Sequence, residues 1–430
     1  MNRFDIYFVN DSTNQRNYPL IENTNNSAKI AINVFNLTIH NLTKELNRIS
    51  GIISINETNT IKIKRINIIF DKKIESLYVK TILAKLNDVI YSYYPTTKEI
   101  KIYNVDSNAS NYITEVVKYK DITMDPMKTP DTYLEYIKLN TPNDYNIKIF
   151  NINETDQFPL TKAVGSGSVH PSYFVHISPK TINQNNKNIF LIGKAITYDS
   201  GGLNIKLRYM EEMKTDMIGS AILISVLKLL NLDKQDKKFN IHILIPIAEN
   251  MIGNKATKPG SVIKSAGGKL VEIINTDAEG RLCIVDAIDY IQQKLTSKLD
   301  LSKCFMLDVA TLTGNTEHIT SGFSSLSMCN SKGLLYVDEL IKIGEEIGEY
   351  VDFLKIRDEY LDSLKSTVAD IVNINKEFKA DCILAGAFLN YFVDKKLPWI
   401  HLDLGVGVFV DKKPLSYGIN LLYQFILQLK

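Results

Sequence analysis

Acidic and basic side chains alternate in the segment Asn275-Thr-Asp-Ala-Glu-Gly-Arg-Leu282, and this spacing could support chemistry. Asp277, Glu279 and Arg281 occupy alternate positions of the segment. In an extended chain, residues two apart point to the same side, so we expect these three side chains to converge. The sequence therefore predicts a charged cluster here that could hold metal ions.

A second segment, residues 193–219, adds two more carboxylates and two lysines among glycine-rich turns. These residues are Lys194, Asp199, Lys206 and Asp216. Together the two segments supply four carboxylates, two lysines and one arginine, without a histidine. Hard oxygen ligands of this kind suit a paired site for divalent cations, in which carboxylates bridge two ions that polarise one water.

Each carboxylate taken alone has a simpler explanation, because Asp and Glu beside glycine are mostly turn, capping or surface residues. The surroundings argue against that explanation for the whole set. Asp199 follows an apolar run and precedes Ser-Gly-Gly, and Asp216 precedes an apolar stretch of helical character. The combination therefore favours one site over unrelated surface groups.

The elements that must position these residues begin at about Tyr145, where strand-like and helix-like runs start to alternate. This alternation predicts a mixed or parallel sheet covered by helices, with the carboxylates at strand ends, where open α/β sheets place ligands. The fold class is thus α/β, with a mixed sheet flanked by helices in a large C-terminal catalytic domain, 151–430, and a smaller N-terminal α/β domain, 1–150. The runs are 188–192, 210–230, 239–247, 281–293, 304–309 and 383–393.

The first 150 residues contain strand-like runs at 61–70 and 99–105 and a helix-like run at 74–86, but no group of residues that suggests chemistry. We interpret His40 there as a surface or packing residue. Late in the chain, residues 398–403 have the pattern of a buried strand. We expect its His401 and Asp403 to be a satisfied core pair that supports the site rather than catalytic groups.

Composition narrows the class of protein. Fifty basic and 48 acidic residues give a formal charge of +2, which argues against a nucleic-acid or membrane surface as the main feature. The first ten residues lack an apolar signal region, and the sequence has no apolar run of about 18 residues that could span a membrane. We therefore expect a soluble, cytoplasmic protein. Four cysteines without CxxC spacing are expected to be reduced core thiols, namely Cys283, Cys304, Cys329 and Cys382.

Several motifs resemble the leucyl aminopeptidase family, the cytosol aminopeptidases of peptidase family M17. Residues 193–206, Gly-Lys-Ala-Ile-Thr-Tyr-Asp-Ser-Gly-Gly-Leu-Asn-Ile-Lys, are similar to the family segment VGKGITFDSGG-x-SIK, and residues 275–282 match its NTDAEGRL signature without a change. Residues 248–251, 258–260, 310–314 and 399–403 agree as well. The resemblance covers roughly residues 163–418, whereas the N-terminal domain carries no family motif.

The resemblance implies two divalent metal ions, Zn²⁺ or Mn²⁺, with Mg²⁺ or Co²⁺ as alternatives. By position, Asp199 and Glu279 would contact both ions, Lys194 and Asp216 would complete the tighter site, and Asp277 would complete the more exchangeable one. A lysine binds metal only as the neutral amine, so Lys194 would have to lose its proton.

The same resemblance assigns the catalytic side chains. Lys206 would polarise the scissile carbonyl and stabilise the oxyanion, and Arg281 would hold a bicarbonate ion that accepts the proton of the attacking water. The substrates would be short peptides with a free N-terminus, and the residue released would be apolar, such as Leu or Met. The matching pocket positions are Met213, Thr311, Gly314, Gly405 and Val408.

Family members assemble as hexamers, so a homohexamer is expected. Three residues separate Lys206 from Met210 where the family usually has four, which puts the shape of the substrate pocket in question. Two other functions stay open. A non-catalytic scaffold or DNA-binding relative is disfavoured by the near-neutral charge. A two-metal phosphoester hydrolase should offer basic residues beyond Lys206 and Arg281.

Overall fold

The computed structural model describes residues 3–9, 20–23, 27–33, 65–70, 76–93, 99–103 and 107–429, except 236–237, 298, 406–407 and 411–412. His40 lies outside the described residues. The strands are β1 Arg3–Val9, β2 Leu20–Asn23, β3 Ser27–Asn33, β4 Arg65–Phe70, β5 Glu99–Tyr103, β6 Tyr145–Asn151, β7 Tyr173–Pro179, β8 Lys187–Gly193, β9 Ala195–Asp199, β10 Phe239–Asn250, β11 Ser261–Lys264, β12 Leu270–Ile273, β13 Cys304–Ala310, β14 Ser325–Cys329, β15 Val351–Phe353, β16 Ile371–Val372, β17 Trp399–Asp403, β18 Phe409–Val410 and β19 Lys413–Pro414. The α-helices are α1 Ser76–Tyr93, α2 Ser107–Met124, α3 Pro130–Asn140, α4 Pro159–Gly165, α5 Ile218–Leu232, α6 Gly280–Tyr290, α7 Thr316–Thr320, α8 Leu334–Ile347, α9 Asp358–Asp362, α10 Asp381–Phe392 and α11 Ile419–Gln428.

The N-terminal strands form a five-stranded sheet in the order β2-β3-β1-β4-β5. Strand β1 is parallel to β3 and β4, β4 is parallel to β5, and β2 is antiparallel to β3. The predicted strand-like runs lie at β4 and β5, and the helix-like run lies at α1, a few residues later than expected. The predicted N-terminal α/β unit is therefore present, whereas its division from the rest at residue 150 stays a prediction.

The large sheet has nine strands, in the order β15-β14-β17-β13-β8-β10-β7-β6, with β9 pairing β10 beyond the end of β8. Its centre is parallel, from β10 through β8 and β13 to β17, and antiparallel pairs join β7 to β10, β6 to β7 and β14 to β17. The sheet is mixed and flanked by helices, as the sequence predicts. Parallel central strands bring their carboxyl ends to one edge.

The two faces of this sheet pack against different helices, because apolar side chains alternate along its strands. On β10, Ile241, Ile243 and Ile245 belong to one hydrophobic cluster, together with residues of α5 and α11. Leu244 and Ala248 belong to the other cluster, together with residues of α6 and α10. The sheet is therefore a buried layer between two layers of helices.

Contrary to the expectation from the sequence, the segment Met210–Leu232 is long and apolar enough to cross a membrane, but 83% of its apolar window is buried inside the protein. It contains α5, which packs on β8 and β13. The burial identifies this segment as a core helix. The four cysteines are free and buried, which confirms the predicted core thiols.

Candidate metal centre

The predicted site residues lie at the carboxyl ends of the central strands. Asp199 is the last residue of β9, Lys194 directly follows β8, and Thr311 directly follows β13. Asp216 ends a 3₁₀ turn, Met210–Thr215, just before α5. Ligand sites of open α/β sheets are found at this edge.

The segment 275–282 is not extended, contrary to the expectation from its alternating pattern. The Asn275 side chain accepts a hydrogen bond from the Asp277 amide at 2.9 Å, a local bond that turns the chain, and α6 begins at Gly280. Asp277 and Glu279 nevertheless meet Asp199, and one carboxylate oxygen of each lies within 4.8 Å of the others. Arg281 lies in the first turn of α6.

Two lysines bridge the four carboxylates in pairs. The Lys206 Nζ lies 2.7 Å from Asp199 Oδ2 and 2.6 Å from Asp277 Oδ1. The Lys194 Nζ lies 2.7 Å from Asp216 Oδ2 and 2.9 Å from Glu279 Oε1. The structure thus brings together all four predicted carboxylates and both predicted lysines in one cluster.

The electrostatics of the cluster favour added positive charge. Burial, followed by repulsion between carboxylates, raises the pKa of Asp216 to about 8 and that of Asp277 to about 7. Burial opposes the charge of Lys194, but Asp216 and Glu279 outweigh it and raise its pKa. Ionisation of all four carboxylates beside two ammonium groups would give the cluster a charge of −2, and the raised pKa values show that the cluster takes up protons where no other cation is bound.

Neighbouring backbone shapes the seat of Lys194. A side chain at Gly280 would place its Cβ 2.5 Å from Lys194 Cε, so the lysine would have to move from its present position. The Lys194 Nζ also donates to the Thr311 carbonyl at 3.1 Å, and the Thr311 hydroxyl donates to Asp216 Oδ1 at 2.8 Å. Thr311, predicted as a pocket residue, therefore also holds two of the predicted metal ligands.

The other predicted pocket residues lie in different surroundings. Met213 is half-buried in the 3₁₀ turn before Asp216, and Gly314 faces open space, with no atom within 4 Å of an added Cβ. Gly405 has a φ of +52°, and Val408 is fully buried in the hydrophobic core. Their grouping as a substrate pocket stays a prediction.

Arg281 is 1% exposed and held by two partners. Its Nη1 donates to the Asn373 carbonyl at 2.9 Å, and its Nη2 lies 2.9 Å from Asp381 Oδ1. Its Nε is buried without a hydrogen-bond partner among the described residues. Neither of these two partners is one of the four carboxylates, and the convergence of Arg281 with Asp277 and Glu279 on one reaction centre stays a prediction.

Two asparagines were not singled out from the sequence, although they hold the ligands in place. Asn250 Nδ2 donates to Asp199 Oδ1 at 2.7 Å and to the Thr276 carbonyl at 3.0 Å. The Asn373 side chain accepts from the Ile274 amide at 2.9 Å and donates to the Asn275 carbonyl at 2.7 Å. The position of Asn250 at the end of β10 could have indicated its role from the sequence, whereas no feature of the sequence indicated Asn373.

His401 and Asp403 are both fully buried, as expected, but they do not pair with each other. The His401 Nδ1 lies 2.5 Å from Asp308 Oδ1, its neighbour across β13 and β17. Asp403 accepts from the Leu312 amide at 3.0 Å and the Thr313 hydroxyl at 2.7 Å. His401 pairs with Asp308 and not with Asp403, because adjacent strands place Asp308 directly beside His401. Asp403 supports the loop that follows Thr311.

Comparisons with known proteins identify the family of this chain. The profile of the cytosol aminopeptidase family, catalytic domain, matches residues 119–419. A probable cytosol aminopeptidase of Vesicomyosocius okutanii subsp. Calyptogena okutanii is 35% identical over 304 residues, which are 69% of this chain and 61% of the relative. The cytosol aminopeptidase of Rickettsia prowazekii is 30% identical over 366 residues, covering 78% of this chain and 71% of the relative.

Among solved structures, the bottromycin maturation enzyme BotP in complex with Mn is similar, with a TM-score of 0.77 and 19% identity over 98% of both chains. At that identity the likeness shows the fold. The matches span 61%, 59% and 51% of the length of three of the curated relatives. The match of the family profile to most of the chain, together with the relative from Rickettsia, shows that this protein belongs to the cytosol aminopeptidase family.

Proposed function

We propose that this protein is a metal-dependent aminopeptidase that releases the N-terminal residue from short peptides with a free N-terminus. The observation that carries the proposal is the convergence of Asp199, Asp277 and Glu279 at the carboxyl edge of the sheet, with oxygens within 4.8 Å of one another. Membership of the family selects peptides over phosphoesters as substrates.

The donor set fits divalent metal ions. Carboxylate oxygens are hard ligands, and four buried carboxyl groups in contact with two lysines can ionise fully only when further cations are bound. Asp199 and Glu279 would hold two ions, Lys194 and Asp216 would complete one site, and Asp277 would complete the other. The ions, Zn²⁺ or Mn²⁺ with Mg²⁺ or Co²⁺ as alternatives, would supply an activated water and polarise the scissile carbonyl.

The two lysines have different roles in the proposal. Lys194 donates to Asp216 and Glu279, which are also ligands, so its amine must release a proton before it can coordinate. Lys206 keeps its charge. Burial lowers its pKa, but Asp199 and the other carboxylates outweigh burial, so the pKa is raised overall. Its ammonium group would donate to the oxyanion that forms as the peptide carbonyl is attacked.

Bicarbonate fits Arg281 only in part. The Nε of Arg281 is buried without a hydrogen-bond partner among the described residues, which would suit an anion. However, Nη2 already contacts the carboxylate of Asp381, and Nη1 donates to the Asn373 carbonyl. Bicarbonate therefore has no part in the mechanism proposed for this chain.

Substrate preference rests on the predicted pocket of Met213, Thr311, Gly314, Gly405 and Val408, which we propose accepts an apolar residue such as Leu or Met. A cytoplasmic homohexamer is proposed from the family resemblance alone.

A panel of aminoacyl-coumarin substrates tests the function and ranks the pocket. We expect cleavage of free-amine substrates after addition of Mn²⁺, Zn²⁺ or Co²⁺, with loss of activity after chelation. The N-acetylated substrates are the control and should stay intact. Cleavage of aryl phosphates without cleavage of any aminoacyl substrate would overturn the proposal.

A further inference from the structure

Arg281 has a carboxylate partner supplied by the chain itself. Asp381 Oδ1 lies 2.9 Å from Arg281 Nη2, a distance typical of a charge-assisted hydrogen bond. The Arg281 side chain is 1% exposed, whereas that of Asp381 is 28% exposed. Asp381 therefore lies between a buried guanidinium and solvent.

The position of Asp381 in the fold favours a fixed negative charge. Asp381 is the first residue of α10, a helix of 12 residues, and the N-terminus of a helix stabilises an anion. The guanidinium is also oriented from its other side, because Nη1 donates to the carbonyl of Asn373 at 2.9 Å. The guanidinium thus has a second hydrogen-bond partner, and the carboxylate lies at a helix N-terminus.

A buried guanidinium needs an anionic partner, because an unpaired buried charge is strongly destabilising. Asp381 is the carboxylate that contacts Arg281 among the described residues. It is the more exposed member of the pair, so Asp381 occupies a position beside Arg281 that solvent can reach. The seat that bicarbonate would use is therefore partly filled by a side chain.

We infer that Asp381 replaces an external carboxylate-like anion at Arg281 and acts as the positioning residue for that arginine. The inference rests on the proposed function, because Arg281 takes part in catalysis only if the protein is an aminopeptidase. The protein would then work without added bicarbonate, and removal of Asp381 would open a bicarbonate site on Arg281.

Bicarbonate binding to the full chain, without peptide substrate, tests the inference. Binding of ¹³C-labelled bicarbonate is measured by NMR line broadening with the original protein, Asp381→Ala and Asp381→Asn. We expect binding only with the two variants, and loss of that binding in Asp381→Ala combined with Arg281→Met. The control is Asp131→Ala, which removes the first-turn acid of α3, away from Arg281. It should not create binding.

Activity gives a second readout. Asp381→Ala should lower the rate of peptide hydrolysis about tenfold, as loss of a partner that orients a functional group commonly does, and added bicarbonate should restore it. The rate of the original protein should not change with bicarbonate. Bicarbonate binding by the original protein as tight as by Asp381→Ala, or no binding by any variant, would overturn the inference. Bicarbonate binding is measured without substrate. If the aminopeptidase proposal fails, peptide hydrolysis is absent, but the binding pattern of the variants is unchanged.

Discussion

The candidate centre depends on charge balance between individual side chains. Burial makes ionised carboxylates costly, and each of the two lysines offsets part of that cost by bridging two of them. Glu279 shows the outcome: burial opposes its charge, yet Lys194 and Lys206 lower its pKa below the usual value. A cluster arranged in this way favours cations as ligands.

Lys206 tests the division of roles between the two lysines. Lys206→Met keeps the length of the side chain but removes the charge, so we expect kcat to fall by about 10²–10³-fold, as for loss of an oxyanion donor. Steady-state kinetics on an aminoacyl-coumarin substrate give kcat and KM separately. Lys264→Met, at an exposed position of β11, is the control and should match the original protein. An unchanged kcat for Lys206→Met would exclude the proposed role.

A variant of Asn373 tests whether its hydrogen bonds to the loop that carries Asp277 and Glu279 are needed for metal binding. Asn373→Ala removes hydrogen bonds to Ile274 and Asn275, and we expect metal affinity to fall by about 10–100-fold. Calorimetric titration with Mn²⁺ measures the affinity. Asn375→Ala is the matched control. Asn375 lies in the same loop as Asn373, but its side chain donates to the Ser363 carbonyl and not to the segment that carries Asp277 and Glu279. Equal losses in both variants would point to general loosening of the loop instead.

At the scale of residues, the sequence predicted the carboxylates that converge but not the residues that support them. Asp199, Asp277 and Glu279 could be found because carboxylates beside apolar runs and glycines stand out, and because the motifs resemble a known family. Asn373 could not be found, since it reaches the ligand loop through parallel pairing of β12 with β16, across 98 positions of sequence. Such a contact depends on topology, which local pattern does not contain.

At the scale of elements, the start of α6 decides which predicted side chains meet. Alternating polarity predicts an extended segment, but the side-chain bond from Asn275 to the Asp277 amide turns the chain first. Leu282 and Cys283 then donate to the Glu279 carbonyl at 3.0 and 3.2 Å as the helix begins. Asp277 and Glu279 stay at the centre, whereas Arg281 turns toward α10.

Gly280 tests the packing of α6 against Lys194. Gly280→Ala would bring a Cβ within 2.5 Å of Lys194 Cε, so the lysine must move and we expect metal affinity to fall by about tenfold or more. Gly314→Ala is the comparison, because no atom lies within 4 Å of its added Cβ. That variant should bind Mn²⁺ normally in the same titration. Normal metal binding by Gly280→Ala would contradict the close packing.

At the scale of the whole molecule, buried charges join the N-terminal helices to the end of the chain. The Lys120 Nζ on α2 lies 2.7 Å from Asp88 Oδ1 on α1, and Lys120 is fully buried. The same Asp88 oxygen accepts from the Ser416 amide at 2.7 Å, just before α11. The helices before residue 125 are therefore tied to the segment that leads into α11.

Lys120 measures the strength of this connection. Lys120→Met would leave Asp88 buried without its cation, and we expect the free energy of unfolding to fall by about 3 kcal/mol. Urea denaturation followed by circular dichroism gives the value. Lys365→Met is the control, since the pair Lys365–Asp362 is exposed and should contribute under about 1 kcal/mol. Equal stabilities of the two variants would show that the buried pair does not hold the molecule together.

The sequence predicts the type of the large sheet but not the order of its strands. Alternating strand and helix runs after Tyr145 predicted a mixed sheet with helices on its faces, and β8, β10 and β13 lie where they were expected. The order of the strands depends on pairings between distant segments, such as β8 between β10 and β13. The runs themselves do not encode that order, so the placement of Asp308 beside His401 could not be foreseen.

The most direct test of the account is the product pattern of metal-loaded protein on a short peptide with an apolar N-terminus, followed by mass spectrometry. The account predicts stepwise loss of single residues from the free N-terminus. It also predicts no cleavage of the N-acetylated peptide and no cleavage by Glu279→Gln, which keeps the size of a central ligand. Cleavage inside the chain, cleavage of the acetylated peptide, or full activity of Glu279→Gln would contradict the claim that these converging carboxylates form an aminopeptidase centre.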